Sequence, residues 1–264
     1  MEAEIIQIIK YLLTVLAGIL LGNSAVYLFN HMPGKWFMDY GEKLPEEKTD
    51  DTSEPKTDVF GAAGPESLKD RKPGDPQRVR STPWKYYFSM LFIAAGLYLV
   101  RDDWVYTIAV MIICWILLEL SISDIKYRIV PDQLLIMLAV SAVGVIQYHT
   151  GWMDMLCGAA LGIGIMGATA LLGKAMYKRD TVGGGDIKLF GALGLVLGVR
   201  GVLAVFMISA LLSGAHMVFL LATRRIKRKD TIPMVPYIAA AAGIYLIFLW
   251  QGPASAWLDT WWQI

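Results

Sequence analysis

Long uninterrupted apolar runs, broken by one polar insert, set the pattern of this chain. They fall at about 5–29, 86–100, 104–122, 133–148, 154–173, 188–199, 201–222 and 232–250. The apolar residues come as blocks, with neither the alternation of a half-buried strand nor the single stripe of an amphipathic helix. A hydrocarbon core about 30 Å thick takes roughly 20 apolar residues of helix, and only helices or closed barrels satisfy their backbone polar groups inside it. The runs are too long and continuous for barrel strands. The pattern therefore predicts an all-α polytopic membrane helix bundle of about eight spans. At about 1.5 Å per residue the sixth run falls short of the core thickness. It is tilted, partly re-entrant, or continuous with the seventh across Arg200 and Gly201, which would leave seven crossings.

Between His31 and Lys85 the composition changes abruptly to Lys, Glu, Asp, Pro and Gly. This loop is largely too polar to build a core, and disorder is expected over 46–80. It reads as a solvated linker or as a small substrate-contacting element, for which Trp36, Phe37, Tyr40 and Phe60 are the only anchors. The chain thus divides into a first span (1–30), a polar loop (31–85), a helical core (86–250) and a tail (251–264) containing Trp257, Trp261 and Trp262. The first run begins with Glu2 and Glu4 instead of basic residues and has no clear small-x-small cleavage site, so it reads as a retained span.

Of the 264 residues 56% are hydrophobic and 18% charged, and the mean hydropathy is +0.49, as a membrane protein requires. The net charge of +1 carries no signal for a nucleic-acid partner and hides a local segregation. Lys126, Arg128, Lys178, Arg179, Lys188, Arg224, Arg225, Lys227, Arg228 and Lys229 fall on one side of the predicted spans, against Lys10, Arg101 and Arg200 on the other. The first group is expected to be cytoplasmic, and the basic stretch 224–229 to contact anionic lipid. Two cysteines, Cys114 and Cys157, both within apolar runs, exclude a disulfide framework and a four-cysteine zinc site.

Two acids stand out at span margins, where ionisable groups are costly and usually functional. Asp124 follows the third run, with Pro131-Asp132 seven residues on, and Asp186 closes the glycine-rich turn Gly183-Gly184-Gly185-Asp186. The orientation above places both at the cytoplasmic face. An Asp followed by Lys126 and Arg128 also fits a solvated, salt-bridged headgroup residue, and Asp186 also fits an N-cap on a flexible turn. Three glycines permit positive φ and close backbone approach, so a peptide could lie beside Asp186. Two carboxylates that meet can share a proton and activate water. A cation beside either acid would work against that sharing. Lys126, Arg128 and Lys188 are expected instead to reach the lipid headgroups, with Lys188, two residues from Asp186, the exception to watch.

The run Gly183-Gly184-Gly185-Asp186-Ile187-Lys188-Leu189-Phe190-Gly191-Ala192-Leu193-Gly194 resembles the Gly-x-Gly-Asp motif of type IV prepilin leader peptidases, membrane aspartic proteases that process pilin-like precursors. Asp124 with Pro131-Asp132 is similar to the family's first acid and following Pro-Asp pair. Pro233 to Pro236 resembles its late Pro-x-x-Pro segment, and 18–33, with Gly22-Asn23-Ser24 and Asn30, its opening segment. The resemblance covers nearly the whole chain outside 35–85. It implies Asp124 and Asp186 as the catalytic pair, Gly183, Gly184, Gly185 and Lys188 as the active-site turn, and Pro131, Pro233 and Pro236 as candidate substrate contacts. It also implies cytoplasmic-side cleavage of a short basic leader, commonly after a glycine, from a precursor whose hydrophobic helix stays in the membrane.

Many bacterial members carry two Cys-x-x-Cys pairs in the first loop and N-methylate the new terminus with S-adenosylmethionine. The loop here has no cysteine, so no zinc is expected, and S-adenosylmethionine would serve only if methylation were retained. Glu42, Glu46, Glu47, Asp50 and Asp51 would suit a basic leader. His216, alone in an apolar run, reads as a packing histidine, and the glycines of 158–173 as close helix packing. The competing reading is a proton-coupled secondary transporter using the two acids as a relay, against which the absence of inverted repeats counts.

Overall fold

A computed structural model of the chain describes residues 2–37, 79–101, 103–178, 182–223 and 232–250. The acids of the polar loop, Tyr40, Phe60, Arg179, the basic stretch 224–229 and the tail tryptophans lie outside the described residues. Among those described, seven α-helices occur and no strand: α1 (Glu2–His31), α2 (Ser81–Leu99), α3 (Trp104–Tyr127), α4 (Asp132–Ser141), α5 (Trp152–Tyr177), α6 (Gly184–Ala222) and α7 (Val235–Ile244). Helix α4 runs on as a 3-10 helix (Ala142–Tyr148), and α7 as a π-helical turn (Tyr245–Trp250). By length and composition α1, α3, α5 and α6 can each cross a membrane, while Asp132–Tyr148 and Val235–Trp250 are shorter apolar helices. The molecule is a multi-pass membrane helix bundle, as the hydropathy predicts.

Helix α3 is the axis of the core, with Ile113, Ile116, Leu117 and Leu120 almost fully buried. The outer faces of α1 and α5 remain apolar and exposed, as a lipid-facing surface must be. Helix pairs α1–α2 and α5–α6 make the most extensive contacts, and glycine explains both. A Cβ on Gly22 would collide with the Ser89 backbone, and one on Gly18 would lie 2.9 Å from the Ile93 nitrogen. Across the second pair, Gly158 and Gly194 face each other's backbones, and Gly162 faces the Phe190 carbonyl. Lipid gives no hydrophobic drive between helices, so close van der Waals approach at small residues replaces it. Gly164 and Gly167 meet nothing within 4 Å, so the expected packing falls to Gly158 and Gly162 and not to these two.

The sixth and seventh runs join in α6, whose 39 residues would extend about 58 Å if straight. The helix is broken at Gly198 (φ 68°, ψ −173°), two residues before the expected Arg200–Gly201 junction. Past the break the chain doubles back: Gly162 faces both Phe190 and Val202, and His216 further on bonds the Tyr237 hydroxyl at the start of α7. His216 is thus exposed, with its ring hydrogen-bonded to and packed on Tyr237.

Candidate active site at one end of the bundle

One end of the bundle gathers the ends of four helices. Asp124 is in the last turn of α3, which stops where Arg128 turns left-handed (φ 56°) and its N–H bonds the Asp124 carbonyl at 2.9 Å. Pro131 is extended (φ −65°, ψ 127°) and is the N-cap residue of α4. The Ser123 hydroxyl donates to the Ile129 carbonyl at 2.6 Å and ties this connection to α3. Asp124 is 7% exposed, and its Oδ2 accepts the N–H of Val235, the first residue of α7, at 2.9 Å. That donor is one of the four a helix start leaves without an intrahelical partner, so the acid of α3 caps α7.

Asp186 is in the first turn of α6. Gly183 is the N-cap with extended backbone (φ −70°, ψ 145°), and Gly184 and Gly185 are already helical. None of the three has the positive φ that the run of glycines suggested, since among the described glycines only Gly198 does. Their value is space. A Cβ on Gly185 would stand 2.9 Å from Val130 Cβ, so this glycine lets α6 close on the connection below Asp124. Gly184 meets nothing within 4 Å, and Gly183 only the Asp186 carboxylate. The turn is therefore open on this side. The Gly183 N–H donates back to the Asp186 carboxylate, and Asp186 feels the charge of Asp124.

Lys188 does not point to the headgroups. Its Nζ bridges both carboxylate oxygens of Asp132, at 2.8 and 3.0 Å, and so joins the starts of α4 and α6. Pro131 is buried, and Pro233 and Pro236 are half-buried just before and within the first turn of α7, next to the Val235 donor. Every residue picked out by sequence for the site therefore lies at this end. The Val235 N–H, a backbone group, and the Asp132 carboxylate as partner of Lys188 were not foreseen. The Pro131-Asp132 pair in the sequence was the one signal for the latter. Among the described residues no three His, Cys, Asp or Glu side chains stand together in a way that could hold a metal ion.

The fold and this end of it define a class: a multi-pass helical membrane protein with two acids from separate helices brought to one end of the bundle. Residues 111–218, which span α3 to the second half of α6, match the Type IV leader peptidase family. The prepilin leader peptidase/N-methyltransferase of Bacillus subtilis is 31% identical over 137 residues, 51% of this chain and 52% of the relative. Those of Aeromonas salmonicida (28% over 153 residues, 57% and 52%) and Xanthomonas campestris (30% over 144 residues, 54% and 49%) are similar. Through this core the chain is similar to the Type IV leader peptidase family. It spans about half the length of the curated relatives it matches. No solved structure matches it.

Proposed function

We propose that this protein is a membrane aspartic endopeptidase that removes the short basic leader of type IV prepilin-like precursors at the cytoplasmic face of the cell membrane, with Asp124 and Asp186 as its catalytic pair. The observation that carries the reading is the placement of Asp186 on an open glycine turn within the field of a second, backbone-tethered carboxylate. The family of the core and the names of its relatives support the substrate class.

The chemistry follows from two carboxyl groups that hold one proton between them. The ionised acid takes a proton from water as the water oxygen attacks the scissile carbonyl. The protonated acid donates a hydrogen bond to the developing oxyanion, and the amine then leaves with a proton from the pair. Because the pair titrates as a unit, the acid and base roles belong to the pair and not to one residue. The Val235 N–H occupies one oxygen of Asp124. The Asp132 carboxylate holds Lys188 by the same end of the bundle, which keeps this cation from pairing with Asp186. The precursor's hydrophobic helix would stay in lipid beside the bundle while its basic leader extends toward the cytoplasm.

The proposal covers hydrolysis; methyl transfer by S-adenosylmethionine is a separate step. The test is incubation of the purified protein with a prepilin-like precursor, with and without S-adenosylmethionine, and measurement of product mass. Loss of the leader alone supports the peptidase reading, and an added methyl group in the second reaction would extend it. No cleavage, together with acid-dependent flux of a solute into proteoliposomes, would move the reading to a proton-coupled carrier.

A further inference from the structure

We propose that His149 and Asp154, at the opposite end of the bundle, are positioning residues for this reaction: they lock the break in α6 and so set where Asp186 stands. The inference rests on the peptidase reading above.

The break at Gly198 interrupts the helical hydrogen bonds inside an apolar bundle, where unpaired backbone groups are costly. Two of the groups it frees are met by side chains from outside α6. His149 Nε2 donates to the Val196 carbonyl at 3.1 Å, and the Val199 N–H donates to Asp154 Oδ1 at 3.2 Å. His149 Nδ1 and Asp154 Oδ2 stand 3.0 Å apart and join the two side chains. The His149 side chain is 2% exposed, and its ring lies 4.9 Å from that of Trp250. A carbonyl oxygen only accepts, so Nε2 must carry a hydrogen. Nδ1 and Oδ2 then share one proton, and both ring nitrogens and both carboxylate oxygens are engaged.

Glycine at 198 belongs to the same device. Its positive φ disfavours other residues, and a Cβ there would fall on the Asp154 carboxylate and 3.0 Å from His149 Nδ1. The lock is built from the connection after the 3-10 helix (His149), the first turn of α5 (Asp154) and the break itself. Asp186 lies twelve residues before Gly198, about 18 Å along a helix. A tilt of about 5° at the break would move it by about 1.6 Å, and a misplacement of about 1 Å can cost on the order of 100-fold in rate. Such a change lowers kcat through the displaced pair, while the candidate leader contacts Pro131, Pro233 and Pro236, at the starts of α4 and α7, stay in place.

The test compares wild type, His149→Ala, Asp154→Ala and Asp154→Asn as full chains in lipid, by cleavage kinetics and by amide exchange over 196–202. Asparagine keeps every bond of the lock: Oδ1 still accepts the Val199 N–H, and Nδ2 donates to a neutral Nδ1. We expect both alanine variants to lose on the order of tenfold or more in kcat with KM changed by less than about threefold, and to exchange faster at 196–202. Asp154→Asn should match wild type in both. The inference is overturned if the alanine variants keep wild-type kcat, or if Asp154→Asn falls as far as Asp154→Ala. Should the alanine variants fail to fold, Asp154→Asn decides alone, since wild-type kcat supports the lock and its loss refutes it. If wild type itself cleaves no precursor the peptidase reading fails, and faster exchange at 196–202 in the alanine variants alone still tests the lock.

Discussion

Asp124 Oδ2 is committed to the Val235 N–H, which ties the carboxyl group to the start of α7. Five residues earlier in α3, Glu119 is fully buried and neither of its carboxylate oxygens has a hydrogen-bond partner; Trp115 Nε1 is buried without one as well. A buried polar group without a partner costs about 1–3 kcal/mol, so Glu119→Met should raise the thermal stability of the detergent-solubilised protein by that order. An unchanged or lower midpoint would show that the acid contributes more than it costs. Asp103, outside the spans, is the opposite case. Its Oδ1 caps α3 by accepting the N–H groups of Val105 (2.8 Å) and Tyr106 (3.3 Å), and the Tyr148 hydroxyl donates to Oδ2. That hydroxyl first, and the two backbone donors after it, outweigh partial burial and hold the Asp103 carboxyl below its usual range. A depressed folded value means that the ionised cap stabilises fully above the unfolded carboxylate range and is lost as pH falls through the folded value. Asp103→Ala should cost about 1 kcal/mol at neutral pH, and its Tm difference from wild type should shrink as the pH falls below about 4. A difference independent of pH down to that range and beyond would contradict the cap.

At the scale of elements, glycine separates contacts that sequence alone leaves merged. Gly194 and Gly167 both sit in apolar helical runs, yet Gly194 faces the Gly158 backbone and Gly167 faces open space. Gly194→Ala should therefore loosen α5 from α6 and lower the unfolding temperature. Gly167→Ala should be neutral or stabilising by up to about 1 kcal/mol through helix propensity. Equal effects at the two positions would contradict the crossing. The helices themselves were legible because 20-residue apolar runs have few alternatives in a bilayer. Their ends were less so. Helix α2 starts ahead of its apolar run, with a kink at Thr82 (φ −110°, ψ 130°) in its first turn, because a helix start needs no apolar residue. The break in α6 fell at Gly198 and not at the polar Arg200, because it depends on a positive φ, on an acceptor from α5 (Asp154) and on a donor from the connection before it (His149), none of which a local window contains.

At the scale of the molecule, antiparallel spans return distant residues to one end. The bundle brings Asp124, Asp132, Asp186 and Lys188 together there, with the starts of α4, α6 and α7 facing the end of α3. Helix starts carry partial positive charge, a favourable setting for carboxylates. The two aspartates were legible in the sequence because an acid at a span margin is rare enough to demand a reason. The tether to Val235 was not, because a backbone N–H leaves no mark in the choice of side chain. The most direct test of the central claim is single-turnover cleavage of a prepilin-like precursor by wild type, Asp124→Asn and Asp186→Asn, each shown to insert and fold. The account predicts that wild type releases the leader and that each variant is slower by on the order of 100-fold or more. Leader release by either variant at the wild-type rate would contradict it.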